Sequence, residues 1–161
     1  MIAVISDTHM PKGRRKLPEA CVEKLREAEA VIHAGDFSTA AVLAELRELC
    51  PVVLGVHGNV DDTALRRELP ESLEIEFGGR TVAVIHDAGP SRGRLVRLRS
   101  RFPQADAVVF GHSHLPLHET DSRFQIFNPG SPTERRRAPR TSMGLLHPSP
   151  VGLRFEHLWL G

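Results

Sequence analysis

Five short, β-branched apolar runs in this chain each end in a residue able to bind a metal ion, and that pattern restricts the fold more than any other feature. Ile2–Ile5 leads through Ser6 to Asp7-Thr8-His9, Val31–Ala34 to Gly35-Asp36, and Val52–Val56 to His57-Gly58-Asn59. Val82–Ile85 leads to His86-Asp87, and Ala107–Phe110 to Gly111-His112-Ser113-His114. Short apolar runs of this kind, bounded by turn residues, read as buried strands. Between them, Leu17–Ala28, Thr39–Leu49 and Ser91–Phe102 read as amphipathic helices, with Val42, Leu43 and Leu46 sharing one face of the second. Asp61 and Asp62 offer the N-terminus of a further short helix through Leu69. Strand–helix alternation predicts an α/β protein with largely parallel pairing. The carboxyl ends of such strands lie side by side, so their polar residues gather on one rim.

After residue 112 the pattern changes. Leu115–Thr120, Arg123–Phe127, Ser142–His147 and Leu153–Leu158 read as strands joined by short connections, which predicts an antiparallel C-terminal part. Two sheets packed together with helices outside would hide all of these strands. With 161 residues, no repeats and no linker-like segment, one domain spanning 1–161 is expected. The chain opens on a strand-like run without a signal-peptide pattern, and no run approaches the ~18 apolar residues of a membrane helix, so a cytoplasmic location is expected.

The rim residues combine imidazole, carboxylate and amide without thiolate. That mixture suits Mn, Fe, Zn, Co or Ni better than Mg or Ca. Taken singly, an aspartate after a strand is commonly a helix cap and a histidine is commonly structural. Seven such residues on one predicted edge, Asp7, His9, Asp36, Asn59, His86, His112 and His114, are not explained that way. Asp7-Thr8-His9 and His112-Ser113-His114 would each place two ligands on the same side of an extended turn. Glycine precedes the polar residue in three of the five cases, at Gly35, Gly58 and Gly111, and allows a sharp turn. No G-x-S-x-G, Walker loop or H-E-x-x-H occurs, so no protein nucleophile is implied.

The ordered set D-x-H, G-D, G-N-x-D, H and G-H-S-H resembles the calcineurin-like metallophosphoesterases, closest to their small prokaryotic single-domain phosphodiesterase branch. Asn128-Pro129-Gly130-Ser131 resembles the same branch. The resemblance implies a four-layer α-β-β-α sandwich, two mixed sheets flanked by helices. It implies two divalent transition-metal ions, manganese first, with Fe, Zn, Ni or Co as alternatives. Asp7, His9 and His114 would hold one metal, Asn59, His86 and His112 the other, and Asp36 would bridge both. The implied reaction is hydrolysis of a small phosphate ester by in-line attack of a metal-bridging hydroxide, with Asp36, Asn59 and His86 as catalytic residues.

Two positions depart from the wider family. Val60 stands where many members carry a histidine beside the leaving group, and His86-Asp87-Ala88 stands where many small members read H-G-H. His57 is a candidate for contact with the substrate, as is Asn59, while His33 reads as structural and His118, His147 and His157 as peripheral. Net charge is +1, but Lys12, Arg14, Arg15 and Lys16 cluster after the first motif, and Arg135, Arg136, Arg137 and Arg140 after the last. Arg135 and Arg136 are expected to join a positive rim that draws in an anionic substrate. Cys21 and Cys50 read as buried free thiols. Two competing readings are a scaffold of the same fold without turnover, as in the related retromer subunit, and a nuclease. The full ligand set argues against the first. The second needs DNA-binding domains for which there is no room, so nucleic acid is not an expected partner, nor is a membrane. A homo-oligomer is compatible with the sequence.

Overall fold

The computed structural model describes residues 1–161. Its elements run β1 (Ile2–Ile5), α1 (Glu19–Glu27), β2 (Ala30–His33), α2 (Ala40–Leu49), β3 (Val53–Gly55), α3 (Thr63–Glu68) and β4 (Ser72–Phe77). They continue with β5 (Arg80–Ile85), α4 (Arg94–Arg101), β6 (Ala107–Val109), β7 (Leu117–Asp121), β8 (Phe124–Asn128), β9 (Ser142–Ser149) and β10 (Gly152–Trp159). The strands form two five-stranded sheets, ordered β10-β9-β1-β2-β3 and β4-β5-β6-β8-β7.

Side-chain alternation along β1 shows how the layers assemble. Ile2 and Val4 point to the seam between the sheets, where they join Ile32, Val82, Val84, Val109 and Phe127. Ala3 and Ile5 point the other way, into a second cluster with Cys21 and Leu25 of α1 and Val42, Leu43 and Leu46 of α2. On the outer face of the second sheet, Ala83, Ile85, Val108 and Phe110 pack against Leu98 of α4 and Phe102 just beyond it. Strands covered on both faces must be apolar at every position, which is why these runs are continuous. The layers are therefore helix, sheet, sheet, helix, the expected sandwich. Both cysteines are buried and unpaired, and burial pushes the Cys21 thiol up to about 12.

Two expectations need correction. β4, pairing antiparallel with β5, was not among the predicted strands. Leu73, Ile75 and Phe77 pack against the inter-sheet core while Glu74 and Glu76 are exposed. This edge strand buries only one face, so it alternates where the central strands do not. The Gly78-Gly79 turn behind it has φ values of 59° and 80°, left-handed at both positions as a two-residue hairpin requires. The C-terminal part is also not wholly antiparallel. β7–β8 and β9–β10 are antiparallel hairpins, but β8 pairs parallel with β6. No helix is long and apolar enough to cross a membrane.

Candidate metal centre

β1, β2 and β3 run parallel in one sheet, and β5 and β6 run parallel in the other. The residues that follow all five strands converge at the same end of the sandwich. Asp36 Oδ2 lies 3.5 Å from His9 Nε2 and 3.2 Å from His86 Nε2. On the first side, His9 Nε2 is 3.2 Å from His114 Nε2, which is 3.5 Å from Asp7 Oδ1. On the other, Asn59 Oδ1 is 2.9 Å from His86 Nε2 and 3.1 Å from His112 Nδ1. Asp7, His9 and His114 form one compact group of potential ligand atoms, and Asp7, Asp36 and His86 form a second. All seven residues singled out in the sequence meet here. The donor set, four imidazoles with two carboxylates and an amide, fits borderline divalent transition metals.

The surroundings fix which ring nitrogens point inward. His86 Nδ1 lies 2.8 Å from the Ala34 carbonyl and His114 Nδ1 lies 3.0 Å from the Glu134 carbonyl. A carbonyl only accepts, so each Nδ1 donates and each Nε2 keeps a lone pair for a metal. Within the protein alone, burial would raise the Asp36 carboxyl, but hydrogen bonding and charge from His86 hold it below its usual value. Burial opposes the charged form of His86, yet the bond to Asp36 and the charges of Asp7 and Asp36 raise it. A metal at His86 Nε2 takes the lone pair that a proton would otherwise take, so binding should weaken as the pH falls. Burial lowers His114.

The backbone departs from expectation. Asp7, His9, Asp36, His112 and His114 have φ values of 56°, 44°, 60°, 69° and 61°. The two ligand turns are therefore left-handed at both ligands and are not extended. Residues with a Cβ rarely adopt this region, and a concentration of them marks a site whose shape is imposed by its surroundings. Gly58 shows how tight the packing is, because a Cβ there would fall 2.1 Å from Asp36 Oδ1 and 2.5 Å from the Asp36 nitrogen.

Several residues that hold these loops carry roles the sequence reading did not assign. Asp62 caps α3 as expected, accepting from the Leu65 N–H at 2.9 Å. Asp61 does something else. Buried at 5% exposure, it accepts from the Asp36, Ser38 and Gly58 N–H groups at 3.0, 2.8 and 2.7 Å. It thereby ties the loop after β2 to the loop after β3. His33 is fully buried and stacks on Phe37, and burial pushes its pKa down to about 3. Its Nδ1 accepts from the Gly35 N–H, so Nε2 carries the proton and donates to Thr8 Oγ1 at 3.1 Å. Asn128 donates to the Gly111 carbonyl, Ser131 to the Asp7 carbonyl and Thr133 to the Thr8 carbonyl, at 2.9, 2.8 and 2.7 Å. The Asn-Pro-Gly-Ser segment after a strand was the visible sign of this support.

The two basic loops do meet. Arg15 pairs with Glu134 at 2.7 Å, and Arg136 lies 3.6 Å from the same carboxylate, whose own backbone carbonyl orients His114. Arg135 and Arg136 are both exposed, and Arg135 donates to the Ala138 carbonyl. His57 lies on the other side of the centre. It lines a cavity of about 320 Å³ with Asn59, Arg66, Glu71, His86, Asp87 and Arg101. Val60 is 47% exposed and its N–H donates to Asp36 Oδ1 at 3.0 Å. His118, His147 and His157 pair locally with Gln125, Glu156 and the Asn128 carbonyl, away from the centre.

Residues 1–149 match the Calcineurin-like phosphoesterase superfamily domain. The chain belongs to this superfamily. Among calcineurin-like relatives, a probable metallophosphoesterase of Methanothermobacter thermautotrophicus is 36% identical over 158 residues, covering 97% of this chain and 86% of that protein. A phosphodiesterase of Methanocaldococcus jannaschii is 22% identical over 142 residues, covering 80% of this chain and 82% of its own. The crystal structure of Vps29 with zinc, from Entamoeba histolytica, superposes with a TM-score of 0.80 at 21% identity over 99% of each chain. At that identity the likeness concerns the calcineurin-like fold.

Proposed function

We propose that this phosphoesterase is a dimetal phosphodiesterase acting on a small phosphate ester, with Asp7, His9 and His114 holding one ion, Asn59, His86 and His112 the other, and Asp36 shared. The observation that carries the reading is the position of Asp36 Oδ2, within 3.5 Å of a ring nitrogen from each donor set. The name of the Methanocaldococcus relative adds support for a diester. Divalent metals bound at such a site supply Lewis acidity and an activated water at neutral pH. Manganese is the first candidate, with Fe, Zn, Ni and Co behind it. His86 and His114 present fixed tautomers, Asp36 and Asp7 supply negative charge, and Asn59 offers a neutral oxygen at the cavity edge. The Vps29 likeness favours a scaffold reading less well, since it speaks to fold and this donor set is whole. Protein stripped of metal and reloaded with Mn or Ni should hydrolyse bis(p-nitrophenyl) phosphate. No turnover with either metal at full loading would sink the proposal.

Val60 should set the leaving-group preference. A positioned general acid contributes roughly 10²–10⁴-fold when an alkoxide departs, and valine cannot donate a proton. Aryl diesters should therefore outpace alkyl esters, and diesters should outpace monoesters. Val60→His should raise alkyl monoester turnover most. His57 is the competing acid, on the wall of the same cavity. If His57→Ala abolishes alkyl-ester cleavage while sparing aryl diesters, the role falls to His57 and the Val60 argument is wrong.

The exposed arginines provide a separate test. Arg135→Ala combined with Arg136→Ala should raise KM for a charged ester a few-fold and flatten its salt dependence, because screening removes what these charges add. An unchanged KM at low salt returns both residues to the solvated surface.

A further inference from the structure

We propose that the cavity beside Asn59 and His86 receives a polyhydroxylated alcohol arm of the substrate diester, glycerol-like or sugar-like, through the acids and arginines of its walls. The inference rests on the phosphodiesterase reading and adds what the non-leaving half of the substrate is.

The walls decide between ligand classes. The cavity of about 320 Å³ has a single apolar residue, Ile85, and no phenylalanine or tryptophan. A nucleobase would find no phenyl or indole face to stack on, only the small imidazoles of His57 and His86, the latter committed to the metal centre. The permanent charges of the lining balance, two arginines, Arg66 and Arg101, against two acids, Glu71 and Asp87. A second phosphate or carboxylate would meet as many anions as cations. A hydroxyl group both donates and accepts, so a lining that mixes strong donors with strong acceptors suits several hydroxyls at once.

These groups are also available. Glu71 and Arg101 form no ion pair or side-chain hydrogen bond within the chain, and Arg101 rests over the Phe102 ring at 5.4 Å. Asp87 uses Oδ1 for the Gly89 N–H and keeps Oδ2. Arg66 donates Nε and Nη2 to the Asp61 and Asn59 carbonyls, at 2.9 and 2.7 Å, which leaves Nη1 for a ligand. Arg66 thus carries the rim of the metal centre on one side and the cavity wall on the other. Asn59 and His86 line this space and Val60 does not, so an ester held at Asn59 and His86 whose leaving group departs on the exposed Val60 side places its second arm here.

The test uses three diesters with the same p-nitrophenolate leaving group and different second arms: ethyl, glyceryl and 5′-thymidylyl. With the metal-loaded full chain, glyceryl kcat/KM should exceed ethyl by roughly tenfold, the scale of one hydrogen bond to a charged partner. The gain should lie mainly in KM. Glu71→Ala and Arg101→Ala are exposed-site changes that should each bring the glyceryl-to-ethyl ratio towards one. A ratio near one in the wild type overturns the proposal, as does a preference that survives both variants. A thymidylyl ester better than glyceryl would assign the cavity to a base and overturn it too. Failure to cleave all three, together with bis(p-nitrophenyl) phosphate, overturns the phosphodiesterase reading itself, an outcome distinct from cleavage without arm preference.

Discussion

Asp36→Ala is expected to lose both metal ions and to drop diester hydrolysis by more than about 10³-fold, beyond the range for loss of a single transition-state donor. The reason is positional. Asp36 Oδ2 is the one oxygen close to ring nitrogens of both donor sets, 3.5 Å from His9 and 3.2 Å from His86. Its Oδ1 also accepts the Val60 N–H, so truncation frees the turn that carries Asn59. Asn59→Ala should behave differently. Its amide oxygen serves only the His86–His112 side, so about one equivalent of metal should remain while activity falls. Native mass spectrometry and elemental analysis read the stoichiometry directly. Two equivalents retained by Asp36→Ala would contradict the shared-ligand role, whatever happened to the rate.

The second large effect concerns a residue that touches no metal. Asp61→Ala leaves three backbone donors, those of Asp36, Ser38 and Gly58, without their acceptor in a buried pocket. At roughly 1–3 kcal/mol for each unsatisfied group, partly offset by relaxation, the loss should be about 3–6 kcal/mol. At roughly 2–4 °C per kcal/mol for a domain of this size, that corresponds to about 6–24 °C in Tm. Thermal unfolding of wild type and variant, both with chelator present, separates this effect from any loss of metal. A shift under about 3 °C would mean that the neighbouring loops hold themselves. Asp61→Asn should fall between the two, because the amide keeps one acceptor oxygen and turns a donor towards the remaining N–H groups.

What could be read from the sequence depended on the kind of signal each residue leaves. The five ligand-bearing strands were legible because their neighbours cover both faces, so Ile2–Ile5 or Val82–Ile85 is apolar throughout. The seven candidate ligands were legible because chemistry restricts them to few residue types and topology gathers strand ends. β4 was missed although Leu73, Ile75 and Phe77 alternate with glutamates before a Gly-Gly turn, so there the signal was present. Other features left almost none. An aspartate at a helix start is commonplace, and nothing in Asp61-Asp62 says that only the second caps α3. Left-handed backbone at Asp7 or His112 is imposed by packing and hydrogen bonds from distant residues, and local composition does not encode it. The cavity walls are a tertiary product: Arg66, Glu71, Asp87 and Arg101 come from separate segments that become neighbours only after both sheets have formed.

One feature of the centre bears on the mechanics of the whole protein. Asp7, His9, Asp36 and Asn59 are delivered by β1, β2 and β3 of one sheet, whereas His86, His112 and His114 are delivered by β5 and β6 of the other. Each proposed ion therefore draws ligands from both sheets and acts as a clasp across the seam. Binding that favours the folded state adds about 2.7 kcal/mol when free metal stands at a hundred times its dissociation constant. Here that increment is applied at one edge of the sandwich, where the ligand turns hold backbone conformations that side chains otherwise avoid. A chelator should then act as a local denaturant. Amide protons at the carboxyl ends of β1 and β6 should begin to exchange while the opposite edge, around the β9–β10 hairpin turn, stays closed.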